Sequence, residues 1–253
     1  MERAAWLKQM RAKAETLYDL VAPQYWVNYG MKLDETHVTY LHKFLGRLGQ
    51  PSDLLSAACG AGKYDGLLLE AGHSVLGIDQ SAGMLARAHQ HFPDVQYRQM
   101  GLQELDFRGA FDGATCIDAL EHVCPEDWPV ILRRFQAALK AGGLLYFTVD
   151  RRDADEPDEL QAAYQRAKDK GLPVVYGEVA DQVDELYERV KQSGWSALPD
   201  DLADYVVYHY CPSLAQVQSW LDQTGFTVEQ QGTGKWYEHF VVSKANSSPV
   251  LQS

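Results

Sequence analysis

Asp53 to Asp79, DLLSAACGAGKYDGLLLEAGHSVLGID, is the stretch whose reading decides the fold. Asp53 to Ala58 is a short apolar run, Cys59 to Gly62 is a tight turn of small residues, and Tyr64 to Glu70 has helical character until Gly72 stops it. A second apolar run, Val75 to Ile78, ends on Asp79. Strand, glycine turn, helix, strand and acid in that order make the first βαβ unit of a doubly wound sheet.

Gly60 and Gly62 allow positive φ angles. Lacking a Cβ, they let a ligand lie against the backbone where a helix begins and offers unpaired N–H groups. Asp79, at the carboxyl end of the next strand, has two oxygens with which to accept hydrogen bonds from a ribose diol. An adenosine-bearing cofactor is therefore expected. A dinucleotide fingerprint needs G-x-G-x-x-G, but here the third position falls on Asp65, with Gly66 one place late. NAD therefore ranks last among the expected cofactors.

Met84, the segment Gln99 to Leu102, and Cys116 to Val123 (CIDALEHV) follow in the order and spacing of an S-adenosylmethionine pocket. On these residues the chain resembles the class I S-adenosylmethionine-dependent methyltransferases, particularly the small-molecule group, over roughly Leu54 to Asp150 and more loosely to the C-terminus. The resemblance implies S-adenosyl-L-methionine as cofactor. It also implies cofactor contacts from Ala58, Gly60, Gly62, Asp79, Gln80, Met84, Gly101, Leu102, Ile117 and Asp118. Tyr18 and Tyr25, in YDLVAPQY, correspond to an N-terminal segment that folds over the cofactor in that family. Two departures stand out: Ser56 replaces the acid of the family's first motif and Ala58 its first glycine, which removes a charged anchor near the methionine end.

The fold class expected is α/β, a doubly wound, seven-stranded, mostly parallel sheet with an antiparallel last strand, N-terminal helices, and a helical insertion after strand 5. The expected divisions are an N-terminal helical cap (1–50), the cofactor-binding Rossmann-like core (51–150), a helical lid or substrate insertion (151–204), the C-terminal part of the core (205–244) and a disordered tail (245–253). Helical spacing of Trp6, Met10, Leu17 and Val21 gives a first helix ended by Pro23, and a second runs from about Glu35 to Leu48. Ser81 caps a helix to about His91, Val95 to Met100 is the third strand, and Ala114 to Asp118 is the fourth. Pro125 to Lys140 is helical, Leu144 to Val149 is the fifth strand, and Ser213 with Gln216 forms a capping box.

The 253 residues carry a formal charge of -12, which argues against a surface that tracks nucleic-acid phosphates. Four cysteines form no C-x-x-C pair, so reduced, cytoplasmic thiols are expected. No apolar run approaches the roughly 18 residues of a membrane span, and no signal-peptide core is visible near the start. The expected partner is a small-molecule acceptor, aromatic or cationic, with no nucleic acid and no membrane; the protein is expected to be a monomer or homodimer. No metal site is expected, because the eight histidines are scattered.

Methyl transfer from a sulfonium is an in-line displacement, in which much of the catalysis comes from alignment in a site shielded from water. His122, just after the fourth strand, is the first candidate to accept a proton or orient the acceptor, with a purely structural imidazole as the alternative. His209, between Tyr208 and Tyr210, is the second. The function expected is methyl transfer to an oxygen, nitrogen or carbon atom of a small molecule. DALE at 118–121 lacks the Asn-Pro-Pro-Tyr pattern of nucleobase amino methylation. Other chemistry on the same fold, such as cyclisation, or a non-catalytic cofactor-binding module remain open alternatives at this level.

Overall fold

A computed structural model of the chain describes residues 3–151 and 210–246. The expected insertion, the stretch 205–209, His209 and the end of the tail lie outside the described residues.

Seven strands form one sheet: β1 (Asp53–Ala57), β2 (Ser74–Asp79), β3 (Gln96–Gln99), β4 (Phe111–Cys116), β5 (Leu139–Asp150), β6 (Phe226–Thr233) and β7 (Tyr237–Lys244). Their order is 3-2-1-4-5-7-6. The first five are parallel, while β7 runs antiparallel to β5 and β6. The seven-stranded, mostly parallel sheet with an antiparallel last strand and N-terminal helices expected from sequence is thus observed. Chain order reverses beside β1, whose neighbours are β2 and β4, and ligands bind outside the carboxyl ends of strands at such a switch point.

Period-two alternation sends side chains to two cores. Leu55, Leu145, Phe147, Phe240 and Val242 meet Trp128, Ile131 and Phe135 of helix α5 (Trp128–Ala138) and Leu221 of α6 (Leu214–Thr224). On the other face Leu54, Tyr146 and Val241 meet Leu41 and Phe44 of α2 (Glu35–Leu45) and Leu68 of α3 (Asp65–Glu70). Asp34 caps α2 by accepting from the N–H groups of Thr36 and His37, and Gly225 ends α6 in the left-handed conformation.

Several boundaries differ from the sequence expectation: α2 ends at Leu45 and α5 starts at Trp128, each about one turn inside its expected bound. Helix α1 (Arg3–Tyr25) runs through Pro23 and widens into a π turn, Trp26–Gly30, instead of stopping. Leu17, Val21 and Ala22 are buried against Met84 of α4 (Ala82–His91), and this packing outweighs the lost backbone donor. A Cβ on Gly83 would come within 3.2 Å of the Asp19 Cα, so the two helices approach this closely only because position 83 is glycine. Strand β4 stops at Cys116, and Asp118 lies beyond it with a φ of 53°. Strand β5 starts at Leu139, and Gly142 and Gly143, expected to close α5, lie in a bulge between the Phe111–Leu139 and Gly113–Leu144 pairs.

Candidate active site

The turn after β1 contains three left-handed residues, Ala58, Gly60 and Gly62, at φ of 48°, 53° and 80°. A Cβ on Gly60 would meet nothing within 4 Å, so the backbone there borders open space. Gly62 is different: its Cβ would press on Phe92, Asp65 and Tyr97. It shapes the turn by packing and does not line the cavity described below.

Asp79 connects this turn to α4. Its Oδ2 accepts from the Gly60 N–H at 2.9 Å and its Oδ1 from the Ser81 N–H at 2.8 Å. Burial pushes the carboxyl up to about 6, against the opposing pull of those two donors. Ser81 accepts from the Met84 N–H, as expected of a cap, and donates to Asp19 Oδ1 at 2.6 Å. Asp19 also accepts from the Gly83 N–H at 2.8 Å. At the other end of α1, Arg11 holds Asp127 through Nε at 2.9 Å and a second bond from Nη2.

Beneath α1 lies a cavity of about 740 Å³, counting the solvent at its mouth. The glycine turn contributes Ala58 and Gly60, and the end of β2 with the start of α4 contributes Asp79, Gln80 and Met84. Gly101 and Leu102 come from beyond β3, Asp118 and His122 from beyond β4, and Tyr18 and Tyr25 from α1. Eleven residues expected from sequence thus converge on one space. Ile117 borders a second, smaller cavity, which shares Tyr25, Ala58, Gly60 and Asp118 with the first.

Tyr18 Oη and His122 Nε2 share a hydrogen bond of 2.7 Å. Burial pushes the Tyr18 phenol well above its ordinary value, so it remains protonated. The second cavity is bordered by Lys63, Tyr64, Ser56 and Asp65. Ser56 Oγ donates to Asp65 Oδ1 at 2.6 Å, and the Tyr97 hydroxyl donates to Oδ2 at 2.9 Å. Burial pushes Asp65 up to about 6. Position 56 carries no acid, and the Asp65 carboxyl reaches its hydroxyl from the first turn of α3.

Asp118 stands where the cavities meet. Its Oδ2 lies 3.9 Å from Lys63 Nζ, and its Oδ1 lies 3.4 Å from His37 Nε2. Neither Oδ1 nor that Nε2 has a hydrogen-bond partner, and both are buried. His37 Nδ1 bonds the Tyr64 hydroxyl at 2.9 Å. Burial raises the Asp118 carboxyl, opposed by Lys63 and by a bond from Tyr237, and burial lowers His37 to about 4.

The sequence reading missed Arg11, Gln103, Asp19, Asp65, Lys63 and His37. Arg11 and Ala14 line the cavity at helical spacing from Tyr18, and Lys63 and Gln103 adjoin the expected Gly62 and Leu102, signals that were available; Asp19, Asp65 and His37 depend on contacts between separate segments. Among the described residues, no group of three or more His, Cys, Asp or Glu is placed to hold a metal ion, and no helix is long and apolar enough to cross a membrane.

Residues 54–143 match a methyltransferase domain family. The ubiquinone biosynthesis O-methyltransferase of Pseudomonas paraeruginosa is 28% identical over 127 residues, 48% of this chain and 53% of that protein. The chain thus spans about half the length of the curated relatives it matches. A SAM-dependent methyltransferase from Methanosarcina mazei superposes with a TM-score of 0.63 at 15% identity, covering 85% of this chain and 100% of the other. The 1,6-didemethyltoxoflavin-N1-methyltransferase of Burkholderia thailandensis, solved with its substrate and S-adenosylhomocysteine, gives 0.62 at 18% identity over 97% of this chain and 92% of its own. Residues 54–143 thus resemble a methyltransferase domain, and the described chain shares the seven-stranded, Rossmann-like fold of the solved S-adenosylmethionine-dependent methyltransferases it superposes on.

Proposed function

We propose that this protein transfers a methyl group from S-adenosyl-L-methionine to an oxygen, nitrogen or carbon atom of a small-molecule acceptor. The observation that carries this reading is the meeting of two unlike cavities at the glycine turn. The larger offers Asp79 with apolar Met84 and Leu102, suited to an adenosine; the smaller offers Lys63 and Asp65, suited to an amino-acid zwitterion. Open space above Gly60 and the Asp79 carboxyl beside it fit a ribose diol lying across the turn.

The bound cofactor supplies an electrophilic methyl group on sulfur. Asp79 accepts from the ribose hydroxyls, while Gln80, Met84, Gly101 and Leu102 enclose the adenine. Ala58, Gly60, Ile117 and Asp118 border the path to the methionine end, and Gly62 sets the turn. Tyr18 and Tyr25 cover the site from α1 and keep water away from the reacting atoms. His122 receives the acceptor's proton or orients the acceptor, with His209 as the second candidate.

The relatives' names, an O-methyltransferase and an N1-methyltransferase, favour oxygen or nitrogen as the atom methylated. The tyrosines over the cavity suit an aromatic or cationic acceptor through stacking and cation–π contact. Four free thiols fit a reducing, cytoplasmic setting, and the charge of -12 disfavours a nucleic-acid substrate; the assembly proposed is a monomer or homodimer. Residues 1–50 act as a cap on the 51–150 core; the divisions expected at 151–204 and 245–253 lie mainly outside the described residues.

Incubation with methyl-labelled S-adenosylmethionine and a panel of phenols, amines and heteroaromatics tests the reading. Acceptor-dependent formation of S-adenosylhomocysteine is expected. Tight cofactor binding with no turnover across the panel would favour a non-catalytic module.

A further inference from the structure

Helix α5 has a second face. Trp128, Ile131, Leu132, Phe135 and Ala138 are buried against the sheet. Val130, Arg133, Arg134 and Ala137, at i, i+3, i+4 and i+7, turn instead toward the segment 105–108 that leads into β4. Helix and segment border a cavity of about 580 Å³, counting the solvent at its mouth. It shares no lining residue with the two cavities at the glycine turn. Its walls are fixed at both ends. Arg134 Nη1 donates to the Leu105 carbonyl at 3.0 Å, and the Gly109 and Ala110 N–H groups donate to the carbonyls of Ala137 and Ala138, each at 2.8 Å.

In a protein of net charge -12, this cavity is cationic. Arg108, Arg133 and Arg134 line it against a single acid, Asp106, and Arg98 offsets that acid from 3.5 Å away. The bond to Leu105 gives Arg134 a structural role, but among the described residues neither the Arg108 nor the Arg133 guanidinium has an ion pair or hydrogen bond. Beside them the lining is apolar: Leu105 is buried, and the half-buried Phe107 ring packs edge-on against Phe111 at 5.1 Å. We propose that this cavity binds the phosphate group of a small organic phosphate ester, with Arg108 and Arg133 on the phosphate and Leu105, Phe107 and Val130 against the ester's apolar body. Guanidinium forks match phosphate oxygens two at a time, and a phosphate dianion offers two such forks more acceptors than a carboxylate does. One concavity on an acidic protein suits a small molecule, since a nucleic-acid backbone needs a tract of cations to follow.

Calorimetry on the full chain with phenyl phosphate, inorganic phosphate and phenol, in low-salt buffer free of other multivalent anions, tests this independently of any methyl transfer. Phenyl phosphate should bind saturably, inorganic phosphate at least about threefold more weakly for want of the apolar contact, and phenol at least about tenfold more weakly for want of the charge. Arg108→Gln and Arg133→Gln should each weaken phenyl phosphate at least about fivefold. Arg87→Gln, which removes a cation from α4, should leave it within about twofold, with thermal melting as the control for folding. Saturating S-adenosylhomocysteine should not displace the ester. No saturable binding of phenyl phosphate, binding indifferent to both arginines, or displacement by S-adenosylhomocysteine overturns the site. Equal affinity for phenyl and inorganic phosphate overturns the ester in favour of free phosphate.

Discussion

Tyr18 on α1 and His122 beyond β4 are 104 residues apart in sequence, and a 2.7 Å hydrogen bond joins them at the wall of the larger cavity. The bond connects the helix that covers the site with the imidazole proposed to serve the acceptor. His122→Ala should lower turnover at least about tenfold, while Tyr18→Phe, which leaves the imidazole in place, should cost about 1 kcal/mol of docking and less of the rate. Both variants should bind S-adenosylhomocysteine within about fivefold of wild type. Undiminished turnover in His122→Ala would remove that residue from the chemistry.

Asp79 should govern cofactor affinity and its pH dependence. Asp79→Ala removes a charge-assisted acceptor, worth about 1.5–3 kcal/mol per bond, so S-adenosylhomocysteine should bind at least tenfold more weakly. The folded carboxyl is raised to about 6, and the ionised form is the better acceptor for ribose hydroxyls. Below pH 6 binding must therefore expel a proton: affinity should rise as pH increases through 6 and level off above 7. Calorimetry from pH 5 to 8 in buffers of different ionisation enthalpy checks both the slope and the proton release. An affinity that rises as pH falls would contradict the assignment.

Asp19 docks α1 by accepting from Ser81 and Gly83 at the start of α4. Asp19→Ala should cost about 1–2 kcal/mol, as the loss of a helix cap does, and lower the melting temperature by about 2–8 °C. Amide exchange should quicken along α1 before it does so in the sheet. Unchanged melting and exchange would mean that apolar contacts such as Leu17 and Val21 with Met84 hold α1 unaided.

Ser56 and Asp65 act as one unit, their side chains 2.6 Å apart and buried. Ser56→Asp alone puts two carboxyls in one site, where both do not ionise together, and it should destabilise the protein at pH 7 by about 2 kcal/mol or more. Adding Asp65→Asn should recover most of that loss, giving a coupling energy above about 1 kcal/mol in a double-mutant cycle followed by chemical denaturation. Additive effects would show that Asp65 does not stand in for the missing acid.

Much of the fold was legible because its signals are local. The apolar runs around Gly60, the cap at Ser81 and the stop at Gly225 each depend on a few adjacent residues. Asp79 and Met84 could be placed because a βαβ unit brings strand ends and helix starts to one edge. The continuation of α1 through Pro23 was not legible, since it rests on burial against α4. Nor were Asp19, Asp65 and His37, whose roles depend on partners 62, 9 and 81 positions away in the chain. The departure at Ser56 was visible; the carboxyl that meets it required the three-dimensional position of α3.

Parallel calorimetric titration of the purified protein with S-adenosylhomocysteine and NAD tests the central claim most directly. The account predicts saturable binding of S-adenosylhomocysteine with a dissociation constant in the micromolar range, about -8 kcal/mol, abolished or weakened at least tenfold by Asp79→Ala, and no binding of NAD. Binding of NAD without S-adenosylhomocysteine, or S-adenosylhomocysteine binding that ignores Asp79→Ala, would contradict it.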